Sequence, residues 1–129
     1  MKNKLIVMVG LPRSGKTTRA RQLGFPIVNP DSIRLALHGN RLAEPFVWEI
    51  NYLMIRALFL AGHDTVIVDA AHTTNKRRDP YFDQFGNDCH IEFMHIDTSK
   101  EICIERATKE GDTVIIPIIE KMANQFESI

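Results

Sequence analysis

The sequence holds little that would tie it to an oxidising or metal-binding setting. It has two cysteines, Cys89 and Cys103. They show no metal spacing and no disulfide framework, so both read as reduced core or near-core residues of a cytoplasmic protein. The histidines His38, His63, His72, His90 and His95 are scattered, with no i, i+4 pair. A zinc site is not expected, and His90 and His95 read as the flanks of a buried strand. Net charge is also missing: sixteen basic and sixteen acidic residues cancel. Such a chain is not built to grip a long nucleic acid by bulk electrostatics, although a local basic groove stays open. Long apolar runs are absent too. Met1-Lys2-Asn3-Lys4 precedes only five apolar residues before Gly10, so neither a signal peptide nor a membrane role is expected. What is left is ordinary: 129 residues, 44% hydrophobic and 25% charged. One domain over residues 1–129, large enough for a real core, is the expectation.

Against that background stands Gly10 to Thr17, GLPRSGKT. It matches G-x-x-x-x-G-K-[ST], the phosphate-binding P-loop. The run Leu5-Ile6-Val7-Met8-Val9 before it reads as a buried strand. Residues 17–23 after it read as a helix closed by Gly24. Gly10 and Gly15 allow backbone conformations that a side chain would forbid. The loop N–H groups and the helix N-terminus then converge on phosphate oxygens. Lys16 is expected to reach the β- and γ-phosphates, and the Thr17 hydroxyl to ligate Mg²⁺. Gly10, Arg13, Ser14, Gly15, Lys16, Thr17 and Thr18 form the expected nucleotide-binding set.

Further elements follow in alternation. Residues 25–29 read as a second strand, and Asp31 as the N-cap of a short helix ended by His38-Gly39-Asn40. A longer helix is predicted from Ala43 to Ala61, its buried face carried by Val47, Ile50, Met54, Ala57, Leu58 and Ala61. Its aromatic and Met content reads as core. Thr65 to Asp69 is a third strand. Thr73-Thr74 open a helical stretch that Pro80 is expected to interrupt, with Asp79-Pro80 starting a second piece through Phe85. Cys89 to Ile96 is a fourth strand. Thr98 with Glu101 reads as a capping box for a helix to Gly111. Asp112 to Ile116 reads as loop, and Pro117 starts a last helix over 118–127. The order implies an α/β fold with a parallel sheet of about four strands and helices on both faces. Gly10, Asp31 and Asp69 all follow strand ends, which puts them on one ligand-binding rim.

On that rim Asp31 and Arg34 share a helix face. A carboxylate there can accept a proton from an attacking hydroxyl, and a guanidinium can hold an anionic part of the acceptor. Position alone also allows a plain N-cap beside a surface arginine. Asp69 ends a Val-Ile-Val strand like the acidic residue of a Walker B motif, or is simply a turn-forming buried Asp. Lys76-Arg77-Arg78 is a charge run, and such runs usually face solvent.

The set GLPRSGKTT, NPDSIR, VIVDAAHTTNKRR, ERATKEG and VIIPIIEKMANQFE resembles the kinase domain of phage-type polynucleotide 5′-kinase. More broadly it is similar to small P-loop kinases that include zeta toxins and chloramphenicol phosphotransferase. The resemblance covers nearly the whole chain and implies an adenylate-kinase-like P-loop fold. It implies that Lys16 and Thr17 hold ATP and Mg²⁺, that Asp31 is the general base, and that Arg34 binds the acceptor's phosphate with support from Asp69. Arg106 matches the lid over the donor phosphates. Where the family lid has a second arginine, this chain has Glu110, with Lys109 beside it as a point charge rather than a fork. The expected activity is ATP- and Mg²⁺-dependent transfer to a hydroxyl, with the 5′-OH of a polynucleotide or nucleotide as first choice. A small-molecule kinase of the same fold and a non-catalytic nucleotide-binding switch are the alternatives.

Overall fold

The computed structural model describes residues 2–39 and 41–129. Among the described residues four strands and six α-helices follow in order: β1 (Asn3–Val9), α1 (Lys16–Leu23), β2 (Ile27–Val28), α2 (Pro30–Ala36), α3 (Glu44–Leu60), β3 (Thr65–Asp69), α4 (Asn75–Phe85), β4 (Cys89–His95), α5 (Lys100–Lys109) and α6 (Ile116–Gln125). Short 3₁₀ turns at Arg41–Ala43 and Thr113–Ile115 lead into α3 and α6. The sheet order is β2-β3-β1-β4, and every pairing is parallel. This is the α/β P-loop fold the sequence implied.

β1 is central because its residues are apolar on both faces. Leu5 and Val7 pack with Val47, Trp48 and Ile55 of α3 and Tyr81 and Phe85 of α4. Ile6 and Met8 point the other way, onto Ala20 of α1. The period-two alternation of a strand thus feeds two helical layers. A third cluster, Leu11, Cys103, Ala107 and Ile119, joins α5 and α6 to the loop after β1.

Several local expectations are corrected. β2 is two residues long and Phe25 is exposed. The cap of α2 is Asn29, whose Oδ1 accepts from Asp31 N–H at 2.8 Å. Pro30 takes the first helical position, where its fixed φ fits and its missing N–H is harmless. Asp31 is therefore inside the helix, and its carboxylate is not used as a cap. Of the residues ending α2, His38 and Gly39 have positive φ, and Asn40 lies outside the described residues. The buried stripe of α3 is Val47, Trp48, Asn51, Tyr52 and Ile55. Met54 is exposed, because the large rings of Trp48 and Tyr52 turn the helix toward them. Helix α4 runs unbroken through Pro80. The carbonyl that Pro80 deprives of a donor belongs to exposed Lys76, where water can serve it. The cap of α5 is Ser99, accepting from Ile102 N–H at 3.2 Å. Thr98 instead donates to the Ser14 carbonyl at 2.7 Å. The last helix begins at Ile116, and Pro117 lies within its first turn. His90 and His95 lie exposed on β4, an edge strand and not a buried one. Both cysteines are free and buried.

Candidate active site

The loop between β1 and α1 is shaped by close backbone approach. A Cβ on Gly10 would lie 2.7 Å from Ser14 Oγ and 3.1 Å from the Ile96 carbonyl. Gly15, the cap of α1, has φ +95°, and Arg13 has φ +68°. Besides the Thr98 bond to the Ser14 carbonyl, three further contacts hold the loop among the described residues. Gly10 N–H donates to the Ala71 carbonyl at 3.0 Å, Arg106 Nη1 to the Arg13 carbonyl at 3.0 Å, and Arg13 pairs with Asp112 at 3.0 Å. Among the described residues no side chain caps the N-terminus of α1. The N–H groups of its first turn thus stand open for an anion, in the direction the helix dipole favours. Arg13, Gly15, Lys16, Thr17, Thr18, Arg106 and Glu110 line a cavity of about 420 Å³ over this turn.

Thr17 and Asp69, 52 residues apart, meet where β3 ends. The Thr17 hydroxyl donates to Asp69 Oδ2 at 2.7 Å. Asp69 is buried, and its other oxygen has no partner among the described residues. Ser14 Oγ is likewise buried and unpartnered. A buried carboxylate oxygen without a donor is costly to keep empty. With the Thr17 oxygen beside it, it offers the hard oxygen donors that Mg²⁺ prefers.

A second cavity, about 830 Å³, opens on the other side of the loop. Lys16 and Thr17 line both cavities, so the two meet at the loop. Asp31, Arg34, Glu44, Trp48, Asp69 and Arg77 contribute to its polar side, and Ile115, Ile118 and Met122 to its apolar side. Arg34 is heavily engaged. Its Nε and Nη2 donate to the two oxygens of Glu44, each at 2.8 Å, and its Nη1 to Asp31 Oδ1 at 2.5 Å. The hydrogen bonds to Glu44 raise Arg34 further above its ordinary value, and those from Arg34 hold Glu44 below the usual carboxylate range. Trp48 Nε1 also donates to Glu44 at 3.3 Å. The Arg77 guanidinium carbon lies 4.1 Å from the centre of the Trp48 ring.

Below this cavity lies a buried polar chain. His72 has φ +49° and approaches the Met8 carbonyl through Nδ1 at 2.7 Å and the Tyr81 hydroxyl through Nε2 at 2.7 Å. A carbonyl can only accept, so Nδ1 carries the proton and Nε2 accepts from Tyr81. The Tyr81 oxygen then accepts from Asn51 Nδ2 at 3.1 Å. Burial pushes the imidazole down to about 4, so it is neutral, and pushes Tyr81 well up. Arg78, 2% exposed, donates to the His72 carbonyl at 2.9 Å, to Asn75 Oδ1 at 2.9 Å, and to the carbonyls of Glu127 and Ser128 at 2.6 and 3.2 Å.

The structure therefore brings Lys16, Thr17, Asp31, Arg34 and Asp69 to one cavity and sets Arg106 on the far side of the loop. The charge run Lys76-Arg77-Arg78 divides three ways: Lys76 exposed, Arg77 against Trp48, Arg78 buried. Glu44, Trp48 and His72 went unnoticed in the sequence. Glu44 lies ten residues from Arg34 on another helix, and no local pattern links them. His72 offered only its nearness to the strand-three Asp, since its positive φ is visible in the structure alone.

Residues 5–128 match the family model described as AAA domain. The chain belongs to that AAA domain family. Among solved structures, this AAA domain superposes with a TM-score of 0.83 and 26% identity on a chain of the Pnkp1/Rnl/Hen1 RNA repair complex, covering 95% of itself and 43% of that chain. A second structure of the Pnkp1/Rnl/Hen1 complex gives a TM-score of 0.72 at 26% identity, covering 81% of this chain and 38% of that one. The AAA domain thus spans less than half the length of either. A gluconokinase from Sinorhizobium meliloti 1021 shares the fold, with a TM-score of 0.61 at 21% identity over 98% of this chain and 77% of its own. No curated protein matches. The fold is that of the P-loop kinases.

Proposed function

We propose that this chain is an ATP- and Mg²⁺-dependent phosphotransferase that moves a γ-phosphoryl group to a hydroxyl. The first-choice acceptor is a nucleotide or the 5′-OH end of a polynucleotide. The observation carrying this reading is the meeting of the two cavities at Lys16 and Thr17. A donor phosphate chain over α1 would end where an acceptor in the larger cavity begins. The open first turn of α1 with Lys16 would hold the phosphates, and Thr17 and Asp69 would hold Mg²⁺. That ion supplies neutralisation of charge on the phosphoryl oxygens. Asp31, exposed at the cavity edge, accepts the proton of the acceptor hydroxyl. Arg34 and Glu44 fix the direction in which that carboxylate points. Arg106 closes the donor side and steadies the loop through the Arg13 carbonyl. Positioning and electrostatics carry such a reaction, since little covalent chemistry is asked of the protein. A small-molecule acceptor is the second reading, favoured by the zero net charge of the chain.

The test is transfer of label from [γ-³²P]ATP to a 5′-OH oligonucleotide, a nucleoside 3′-monophosphate, a nucleoside and a sugar. Transfer to the first two is expected. Asp31→Asn keeps shape but removes the proton acceptor, so transfer is expected to fall on the order of 10²–10⁴-fold with ADP affinity unchanged. Lost ADP affinity with an unaltered transfer step would put Asp31 on the donor side. Label appearing on none of the four would reject the reading.

A further inference from the structure

Two arginines lie within 6 Å of the Trp48 indole in the larger cavity, Arg34 at 5.9 Å and Arg77 at 4.1 Å from the ring centre. They differ in what is left to bind. Arg34 gives its fork to Glu44 and its remaining nitrogen to Asp31. For Arg34 to take a ligand anion, that ligand must displace a bidentate carboxylate. Among the described residues the Arg77 guanidinium has no hydrogen-bond or ion-pair partner; its contact is the Trp48 ring. It is half-buried and lines the cavity. Glu44 faces it at longer range, but the Glu44 oxygens already accept from Arg34 and Trp48. Glu127, also on the cavity wall, is spent on Asn75 at 2.9 Å. Lys76, the neighbouring wall residue, has no ion pair among the described residues either.

We infer that Arg77, lying over the Trp48 ring, is the anion-binding residue of the acceptor cavity, and that the acceptor carries a phosphate ester seated on it. A guanidinium stacked on an aromatic ring keeps all its in-plane donors free while the ring fixes its plane. That arrangement suits a bidentate contact with a phosphate. Lys76 adds a second positive charge to the same wall, which favours a dianionic phosphate over a carboxylate. Arg34 is then a positioning residue for Asp31. This inference rests on the kinase reading for the word acceptor, but the anion site itself can be tested without any transfer.

The chain has one tryptophan, so Trp48 emission reports this site directly. The protein is loaded with saturating ADP and Mg²⁺ to fill the donor side. It is then titrated with inorganic phosphate, a nucleoside 3′-monophosphate and the parent nucleoside, followed by Trp48 emission and by calorimetry. The 3′-monophosphate is expected to bind roughly 10- to 100-fold more tightly than the nucleoside, the range for one charge-assisted contact. Arg77→Ala should erase that preference, and Arg77→Lys should restore part of it. Melting temperature checks that each variant is folded. Equal affinity of the two ligands in the parent overturns the inference, as does a silent response to every probe. So does a preference that survives Arg77→Ala and vanishes with Arg34→Gln. Phosphate binding at Arg77 without transfer to any acceptor would reject the kinase reading and keep the anion site. Transfer without a phosphate preference would do the reverse.

Discussion

The donor loop and the acceptor wall are built in opposite ways. The loop is eight consecutive residues, Gly10 to Thr17, and most of what it offers a ligand is backbone. Its geometry depends on two glycines, on Arg13 in an uncommon conformation, and on brackets from α5 and the turn after it. The acceptor wall is made of side chains from α2, α3 and the start of α4, and it exists only once those elements are packed. Asp31, the pair Glu44 and Trp48, and Arg77 come from three separate helices and are aligned by contacts with one another and with Arg34. Phosphate binding can therefore be stated by a short motif. Acceptor choice must be stated by tertiary structure.

The strongest way to break this contrast is at the loop. Lys16→Ala removes a half-buried side chain for which no hydrogen bond or ion pair is seen among the described residues. Transfer should fall on the order of 10³-fold while the unfolding midpoint stays put. A variant turning over ATP at the parent rate would exclude nucleotide chemistry here.

A second comparison sharpens the acceptor side, because Arg77 and Arg78 are neighbours with different tasks. Arg78→Ala strips donors from the His72, Glu127 and Ser128 carbonyls in a buried setting. We expect a loss of about 3 kcal/mol of unfolding free energy. Arg77→Ala forfeits a ring contact worth about 0.5–1 kcal/mol. Denaturant melts of both variants decide the matter, and equal losses would mean that the two guanidiniums share one structural role.

An effect smaller than that of Arg78→Ala concerns pH. The His72 imidazole titrates near 4 in the folded protein, against 6.5 when unfolded. Between those values the unfolded chain binds the extra proton, so stability rises with pH across this window. It is complete above pH 6.5 and declines as pH falls toward 4. From pH 7 to pH 5 the loss should be about 2 kcal/mol. His72→Asn, chosen because Asn tolerates positive φ, should flatten that portion of the curve. An unchanged slope would mean that His72 is not the group responsible.

The parallel sheet and the loop were legible because their signals are local: a five-residue apolar run, a spaced glycine pair, alternating strand and helix. The errors came where one local rule met a stronger neighbour. Asp31 looked like a cap, but Asn29 and Pro30 took the cap and first position and left its carboxylate to Arg34. Pro80 looked like a break, but the carbonyl it starves is solvated. The stripe of α3 was misread because Trp48 and Tyr52 outweigh the smaller apolar residues beside them. The Arg34–Glu44 fork and the split of Lys76-Arg77-Arg78 had no local signal, since each depends on which side of a helix faces the cavity.

The contacts at 126–128 bear on the order in which the protein assembles. Phe126 stacks on His95 at 4.9 Å, Glu127 meets Asn75, and Arg78 gathers the Glu127 and Ser128 carbonyls. Each joins residues on or before β4 to a segment that follows it, so in N-to-C synthesis all four strands emerge before these contacts can close. The strand core does not need them. A nascent chain can form its sheet and its phosphate loop first, and the acceptor wall matures when this latch fastens. Competence to hold a donor would then precede competence to choose an acceptor.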